Sequence, residues 1–181
     1  DIDPKILARI KTDVTRLETI SARFSKIGSL PNREGTKISV VLDDLVAYMR
    51  IRMPKDITLE LHQDEHEQTV SINTELMTWV LENIIKNSID AIRGKGSIGI
   101  HISWEKTALI RIKDSGSGIP KKLQKKIFEA GITTKKRGWG LGLALAKRIV
   151  EQYHEGKLRL AGSSETGTTF EIELPIEKKQ R

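Results

Sequence analysis

The chain has 181 residues, of which 38% are hydrophobic and 30% are charged, and it contains no cysteine. That length and composition fit one domain with an appendage and ample polar surface. The lack of cysteine excludes disulfides, thiolate metal sites and a cysteine nucleophile. No run of about 18 apolar residues occurs, so no segment is predicted to span a membrane.

The net charge of +7 lies mainly in one segment. Between Lys121 and Arg137 there are seven basic residues and a single acid, Glu129. Charge alone leaves three interpretations open: a nucleic-acid contact, a solvated helix face, or attraction of a polyanionic nucleotide. Because only 4% of the residues are aromatic, no platform for stacking bases is evident, and we expect no nucleic-acid partner.

Residues 1–33 are predicted to contain one long helix. Asp3 suits the N-cap and Pro4 the first helical position, and Gly28 and Pro31 stop the helix. A largely apolar series recurs in steps of three and four and forms a heptad seam at Leu7, Ile10, Val14, Leu17, Ser21 and Phe24. Such a helix needs a partner, so it either docks on its own domain or forms one arm of a dimerisation bundle.

The chain begins without Met or a signal-peptide pattern, and we expect a segment of a longer protein.

Residues 34–181 are predicted to form a second domain of strands and helices. Helices are expected over 40–52, from Asn73 or Thr74 to Gly94, after Pro120 and from near Gly142 to near Tyr153; strands are expected over 57–61, 70–72, 98–104, 110–112, 158–160 and 170–174. The strands alternate apolar and polar residues, which requires only one covered face. We therefore predict an α/β two-layer sandwich, in which a mixed, largely antiparallel sheet is covered by helices on one face and preceded by one long helix.

The long central helix carries an unusual polar stripe. Asn83, Asn87 and Asp90 fall at positions i, i+4 and i+7, on one side of the helix. Two Asn residues one turn apart among apolar neighbours are poor helix formers in a costly place. They either cap neighbouring backbone or bind a ligand. The amide oxygen of Asn87 suits Mg²⁺, which prefers oxygen ligands and gains its charge match from substrate phosphates.

Asp114 ends a predicted strand and opens the turn Asp114–Gly118. An Asp-x-Gly-x-Gly pattern is often only a turn. A carboxylate after a buried strand can also accept a hydrogen bond from the 6-amino group of adenine, whereas it would repel the carbonyl that guanine has there. Gly116 and Gly118 would let the backbone approach the base. On that second interpretation Asp114 selects ATP over GTP.

Three alternate glycines, Gly138, Gly140 and Gly142, lead into the next predicted helix. Glycines before a helix N-terminus expose unpaired N–H groups to an anion. Their spacing differs from the dinucleotide-binding fingerprint G-x-G-x-x-G, and the Gly-Lys-Ser/Thr of a Walker motif is absent. The glycines therefore predict an anion site of another kind.

Four short stretches follow one another along the chain: Asn83–Asn87, Asp114–Gly118, Phe128–Lys135 and Gly138–Leu143. Their succession resembles the ATP-binding domain of sensor histidine kinases, in the wider family that includes gyrase, MutL and the heat-shock chaperone of ninety kilodaltons. The resemblance covers roughly residues 36–175. It implies a domain that binds ATP and Mg²⁺, with the basic segment between Ile119 and Trp139 as a lid that closes over the nucleotide.

The resemblance also implies roles for the matching residues. Those expected to contact the nucleotide are Asn83, Asn87, Asp114, Gly116, Gly118, Ile119, Phe128, Thr134, Lys135, Gly138, Gly140, Leu141, Gly142, Leu143 and Thr169. Among them, Asn83 and Asn87 are expected to be catalytic, and Asn87 is expected to be the metal ligand.

The resemblance further implies the activity of the intact protein. It should transfer the γ-phosphoryl group of ATP to a His on its dimerisation domain, and then to an Asp on the receiver domain of a response regulator. Residues 1–33 correspond to the second helix of the dimerisation hairpin. The intact protein is therefore expected to be a homodimer, and this chain to be the cytoplasmic portion of a membrane-bound sensor.

The chain is not expected to phosphorylate itself. The helix that carries the acceptor His in this family is expected to lie outside this sequence, and the four histidines, His62, His66, His101 and His154, stand in no acceptor box. Each is predicted to be a surface residue, with His62 and His66 in a polar turn and His101 facing outward on a strand.

Three positions depart from the family. The residues after Phe128-Glu129 are not the usual two aromatics, so the lid is expected to be less firmly packed. Asn83 stands where gyrase-like relatives have a Glu that activates water, and since Asn cannot accept a proton at neutral pH, phosphotransfer is favoured over ATP hydrolysis. Asp90 replaces the usual basic residue and is given no phosphate role.

Two alternatives stay open: an anti-sigma-factor-type Ser/Thr kinase, which lacks the N-terminal seam, and a non-catalytic nucleotide-binding adaptor.

Overall fold

The structure is a computed structural model that describes residues 32–64, 67–135 and 138–177. The chain divides into two units, Asp1–Asn32 and Arg33–Arg181. The helix predicted over residues 1–33 lies outside the described residues, as does His66. The assignment of residues 1–33 to a dimerisation region and of residues 34–181 to a nucleotide domain therefore stays a prediction.

The elements of the described chain form one five-stranded sheet, one two-stranded sheet and the helices that pack on them. In chain order they are β1 (Glu34–Lys37), α1 (Ile38–Arg52), β2 (Ile57–Gln63), β3 (Thr69–Ile72), α2 (Thr74–Ala91), β4 (Gly96–Trp104), β5 (Thr107–Asp114), α3 (Lys121–Gln124), α4 (Gly142–Arg148), a π-helical turn (Ile149–Tyr153), β6 (Lys157–Ser164) and β7 (Gly167–Pro175). The large sheet has the order β2-β4-β5-β7-β6. Its β2–β4 pair is parallel and its other pairs are antiparallel. The predicted mixed sheet is confirmed.

The core lies between the large sheet and helices α1, α2 and α4. Alternate residues of β4, β5 and β7 face this layer and are buried, as the period of two requires. The fully buried strand residues include Ile98, Ile100, Ile102, Ile110, Ile112, Ile172 and Leu174. Each buried Ile or Leu contributes about 1.5–3 kcal/mol, so this layer is the main source of stability and fixes the helix that bears the polar stripe.

The opposite face of the sheet carries charged side chains in register. Glu171 of β7 lies opposite Arg111 of β5 and Arg159 of β6, and it accepts hydrogen bonds of 2.8 Å and 2.7 Å from their Nε atoms. Burial raises the pKa of the Glu171 carboxyl, but the hydrogen bonds and charges of the two arginines outweigh burial and hold the pKa below its ordinary value. This polar ladder explains why one layer of helices is sufficient.

Three element predictions need correction. Strand β1 was not predicted because Glu34–Lys37 has no apolar alternation, and it forms by pairing with β3. Helix α2 ends at Ala91 rather than Gly94, since Ile92 is extended and its N–H donates back to Ser88 and Ile89. His62 lies within β2 rather than in a turn.

His154 is buried, with a relative exposure of 1%, and the prediction of a surface residue was wrong for it. Its Nε2 accepts a hydrogen bond of 3.0 Å from the backbone N–H of Asn73, and its Nδ1 donates one of 2.8 Å to the Ile149 carbonyl. Burial lowers the pKa of His154, although the bond to the Ile149 carbonyl opposes this. A neutral imidazole thus joins the N-terminus of α2 to the π-helical turn. His101, by contrast, is half-buried on β4, with its Nε2 3.5 Å from Asp64.

Candidate nucleotide-binding site

The polar stripe of α2 faces the loop that precedes α4. Asn83 lies beside Gly142, since a Cβ atom built on Gly142 would lie 2.5 Å from Asn83 Oδ1. A side chain at position 142 would therefore displace the Asn83 amide from its present position. The predicted helix stripe and the predicted glycine loop lie together, although they are far apart in the sequence.

Asn83 has a donor with no partner. Within the part of the chain that the structure describes, its Nδ2 is the single buried side-chain nitrogen or oxygen that lacks a hydrogen-bond partner. A buried donor left unsatisfied costs about 1–3 kcal/mol, and such groups need an explanation. An amide N–H beside a glycine loop can donate to a phosphate oxygen.

Asp114 lies at the end of β5 and is buried, with a relative exposure of 3%. Its Oδ1 accepts hydrogen bonds from the backbone N–H groups of Gly116 at 2.8 Å and Thr168 at 3.2 Å. Its Oδ2 accepts one of 3.0 Å from the Ser88 hydroxyl on α2. A carboxylate offers about four acceptor positions, so one remains for an amino group such as that of adenine.

The turn after Asp114 is fastened to β6. Gly118 has a φ of +70°, and a Cβ atom there would overlap the carbonyl oxygen of Ser164. Ile119 donates its backbone N–H to the Ser163 hydroxyl at 2.8 Å, and its carbonyl accepts a bond of 2.9 Å from the Gln124 amide. The base of the predicted lid therefore has a fixed starting point.

The far end of the lid contacts both the sheet and the glycine loop. The Phe128 ring packs edge-on against Phe170, with centroids 6.3 Å apart, and the Lys147 ammonium lies 4.8 Å from the Phe128 centroid. Gly131 donates its N–H to the Gly140 carbonyl at 3.1 Å. These contacts bring two of the four predicted motifs against each other.

Lys135 reaches from the lid to the polar stripe of α2. Its ammonium donates to Asn87 Oδ1 at 2.7 Å and to Asp90 Oδ2 at 2.6 Å. Asn87 and Lys135 were both predicted site residues and lie together. Asp90 was given no role, and its contact with Lys135 could not be read from its position in the helix.

Thr168, rather than Thr169, lies beside Asp114. Thr168 pairs with Asp114 across the strands, donates its N–H to that carboxylate and shares a contact of 3.1 Å with Ser163. Because successive strand residues face opposite sides, Thr169 shares the face of Glu171 instead. The period of two could have identified Thr168, since it follows the phase of the buried Phe170.

The remaining predicted residues lie along the loop and the lid. Thr134 is exposed, whereas Gly138, Gly140, Leu141 and Leu143 are half-buried. Helix α4 begins at Gly142 without a side-chain cap, so its first N–H groups have no partner from a capping side chain. Like the unpaired Nδ2 of Asn83, these N–H groups can donate to a phosphate oxygen.

The side-chain oxygens of Asn87 and Asp90 suit a metal ion that takes most of its other ligands from substrate phosphates and water. No group of three or more His, Cys, Asp or Glu that could hold a metal occurs among the described residues. Mg²⁺ bound through one or two protein oxygens, water and substrate phosphates does not need such a group. Asn87 Oδ1 and Asp90 Oδ2 already hold a cation, the Lys135 ammonium. These oxygens therefore fit the Mg²⁺ of a nucleotide complex.

Comparison with known families identifies the class to which this fold and site belong. The family of histidine kinase-, DNA gyrase B- and HSP90-like ATPases matches residues 72–178. This is more than half of the chain, and the chain belongs to that family.

Proteins similar to this chain include histidine kinases. It is 41% identical to the signal transduction histidine-protein kinase AtoS of Escherichia coli over 62% of this chain and 19% of AtoS. It is 33% identical to the sensor histidine kinase ZraS of Salmonella typhimurium over 70% of this chain and 28% of ZraS. The chain thus spans less than a third of the length of either relative.

A solved structure agrees with this assignment. The catalytic domain of the histidine kinase ThkA is 27% identical and has a TM-score of 0.71, covering 79% of this chain and 95% of that domain. The fold is therefore that of a histidine kinase catalytic domain. The described residues contain no helix long and apolar enough to cross a bilayer.

Proposed function

We propose that the chain is the ATP-binding and catalytic domain of a two-component sensor histidine kinase. In the intact protein it transfers the γ-phosphoryl group of ATP to a His on the dimerisation domain, from which the group passes to an Asp on a response regulator. The family membership and the kinase relatives support this activity. The orphaned Asn83 Nδ2 beside the glycine loop is the observation that carries it.

The adenine base is recognised by Asp114 and the triphosphate by the glycine loop. The unused acceptor position of the Asp114 carboxylate takes a hydrogen bond from the 6-amino group, and Ser88 and Thr168 hold that carboxylate in place. Asn83 donates to a phosphate oxygen. Asn87 supplies an amide oxygen to Mg²⁺, which when bound neutralises the phosphate charge that grows in the transition state.

The amide side chain at position 83 favours phosphotransfer over ATP hydrolysis. An amide takes no proton at neutral pH, so this position cannot act as a general base toward water. Phosphoryl transfer depends chiefly on placing a nucleophile in line with the γ-phosphate. An acceptor His already carries the nucleophilic nitrogen and needs only to be positioned.

The proposed partners are a second copy of the intact protein and a response regulator. ThkA, which has been solved in complex with the response regulator protein TrrA, shares the fold with a TM-score of 0.76 at 24% identity. The heptad seam predicted for residues 1–33 supports a homodimer. Since ZraS is a sensor histidine kinase by name, we place this chain in the cytoplasmic portion of a membrane-bound sensor.

The Asn83→Ala variant tests the proposal. It should lower ATP affinity by about 1.5–3 kcal/mol, the range for a hydrogen bond to a charged group. The free energy of unfolding of the nucleotide-free protein should not fall, because the variant removes an unsatisfied donor and adds a better helix former. Calorimetry with ATP and denaturant titration measure the two quantities.

Asn73→Ala is the matched control. Asn73 caps α2 by accepting a bond of 3.0 Å from Leu76 N–H, so its loss should cost about 1 kcal/mol of stability and leave ATP affinity unchanged. If Asn83→Ala destabilises the protein as Asn73→Ala does and binds ATP like the wild type, Asn83 is structural and the proposal loses its main support.

A further inference from the structure

The Lys135 ammonium lies where two side-chain oxygens of α2 converge. Its Nζ is 2.7 Å from Asn87 Oδ1 and 2.6 Å from Asp90 Oδ2. These two residues are three apart, and positions i and i+3 lie on one side of a helix. Two oxygens that hold one ammonium at such distances also mark a place for another cation.

An ordinary surface ion pair would explain the bond from Lys135 to Asp90 but not the bond from Lys135 to Asn87. Lys135 and Asp90 are 42% and 55% exposed, and an exposed pair of this kind contributes little stability. Pairing with Asp90 alone would leave Asn87 Oδ1 accessible. Instead, the ammonium uses the amide oxygen that the proposed function gives to Mg²⁺.

We propose that Asn87 and Asp90 form one cation site, which Lys135 occupies in the nucleotide-free protein and which Mg²⁺ takes over when a nucleotide binds. This inference rests on the proposed function. Mg²⁺ binds through one or two carboxylates together with substrate phosphates and water. Asp90 supplies that carboxylate, either directly or through a bound water, and Asn87 supplies the amide oxygen.

Charge favours Mg²⁺ over the Lys135 ammonium at this site once a nucleotide is bound. Asp90 attracts a divalent ion about twice as strongly as it attracts an ammonium at the same distance. The phosphates of the nucleotide add further negative charge beside the site, which favours the divalent ion again. The ammonium that Mg²⁺ displaces stays on the lid, where the same phosphates can attract it.

Binding of Mn²⁺ to the whole chain at saturating ADP tests the exchange. The paramagnetic signal of free Mn²⁺ reports the metal affinity directly, without any enzymatic activity. Lys135→Gln should tighten Mn²⁺ binding roughly threefold, because the competing ammonium is gone. Asp90→Asn should weaken it roughly threefold to tenfold, because one charge beside the metal is lost. Asn87→Ala should remove most of the binding.

Glu82→Gln is the matched control. Glu82 pairs with Lys86 at 2.6 Å on the same helix, and its loss should change Mn²⁺ affinity less than twofold. If Asp90→Asn tightens Mn²⁺ binding or behaves like the control, Asp90 is only the partner of Lys135 and the shared site is refuted. Unchanged binding in Lys135→Gln would refute the competition.

The proposed function can fail separately. ADP titrated into the wild type in metal-free buffer tests nucleotide binding without the cation site. No binding of ADP there, and none after Mg²⁺ is added, would overturn the proposed function. ADP binding together with the wrong response of the Asp90 or Lys135 variant would overturn the cation exchange alone. Asp90→Ala serves as a second variant, and since Asp90 is exposed, both variants should melt near the temperature of the wild type.

Discussion

The carboxylate of Asp114 and the buried Nδ2 of Asn83 differ in how fully their hydrogen-bonding capacity is satisfied. The carboxylate of Asp114 accepts three hydrogen bonds from the protein, whereas Asn83 Nδ2 has no partner. A satisfied acceptor keeps its position before a ligand arrives, while an orphaned donor gains stability only when the ligand supplies an acceptor. The two residues therefore suit different tasks, the selection of a base and the binding of a phosphate.

Asp114→Asn should lower ATP affinity by about 1.5–3 kcal/mol, because a hydrogen bond to a charged acceptor becomes one to a neutral amide. The preference for ATP over GTP should vanish with it. Calorimetric titration of both nucleotides with Mg²⁺ measures the change. Asp44→Asn, at an exposed position on α1, is the control and should leave both affinities unchanged. Equal affinity of the wild type for ATP and GTP would contradict the assignment of Asp114.

His154 should make stability depend on pH. Its pKa in the folded protein lies below the ordinary value of 6.5, mainly because burial disfavours the charged ring. In acid the unfolded chain therefore binds more protons than the native protein does. Stability is fully present above the unfolded pKa and falls as the pH drops through 6.5 toward the folded value.

The variant His154→Gln isolates this effect. An amide can accept from Asn73 N–H and donate to the Ile149 carbonyl, the two bonds of the imidazole, but it does not titrate. Between about pH 7.5 and about pH 5.5 the melting temperature of the wild type should fall more than that of the variant. His101→Gln, on the strand surface, should retain the wild-type dependence. Identical pH profiles for the wild type and His154→Gln would show that His154 does not cause the loss.

The candidate site residues and the buried His154 differ in how far the sequence could predict their positions. Asp114 and Asn83 stand in motifs, so their places followed from spacing. Thr168 follows the period of two from the buried Phe170, whereas Thr169 was proposed from the family resemblance and not from this period. His154 had no local signal, because its neighbours Tyr153 and Glu155 are not buried and its burial depends on the distant N-terminus of α2.

At the scale of elements, periodicity predicted what the core requires. Strands β4, β5 and β7 alternate clearly because one side of each is buried under helices. Strand β1 lacks that pattern and exists through its pairing with β3. The end of α2 was misplaced by three residues, since Gly94 is a good helix stop but Ile92 is already extended. Pairing and termination depend on neighbours that a local pattern does not contain.

The segment 119–139 should exchange its amide hydrogens faster without nucleotide than with it. The described contacts that hold it include few apolar side chains, chiefly Ile127 and Phe128, and segments with few buried contacts open at low free energy. Hydrogen exchange followed by mass spectrometry, with and without Mg-ATP, measures the difference in residues 119–135.

Strand β5 provides the internal reference for that experiment. It is central in the sheet, so its amides should exchange slowly in both states. Slow exchange of the lid segment in the nucleotide-free protein, unchanged by ATP, would contradict a closing lid.

For the molecule as a whole, the order of the motifs was more informative than any one of them. An Asp-x-Gly-x-Gly turn or an alternating glycine run is common, but the contacts of Gly142 with Asn83 and of Gly131 with Gly140 join three separate motifs. The basic charge of the lid, which had three interpretations, includes Lys135, whose ammonium lies at the proposed metal ligand. The fold thus brings motifs that are each weak predictors together in one candidate site.

The chain by itself should hydrolyse ATP very slowly and should not label itself, yet it should phosphorylate a separate dimerisation fragment of the intact protein that carries the acceptor His. Water is poorly activated because Asn83 cannot act as a base. The nucleophile must be supplied from elsewhere, since His154 is buried with both ring nitrogens engaged and no His of the chain stands in an acceptor box.

Radiolabelled ATP distinguishes the outcomes of this last experiment. The chain is incubated alone and with the dimerisation fragment, and Asn87→Ala is run beside it as a variant that should transfer no label. Acid-labile label should appear only on the added fragment. Label on one of the four histidines of the chain alone would show that the acceptor lies within it. If ATP binds but no label reaches the fragment, the domain is a nucleotide-binding adaptor, because binding without transfer means that no nucleophile is brought in line with the γ-phosphate.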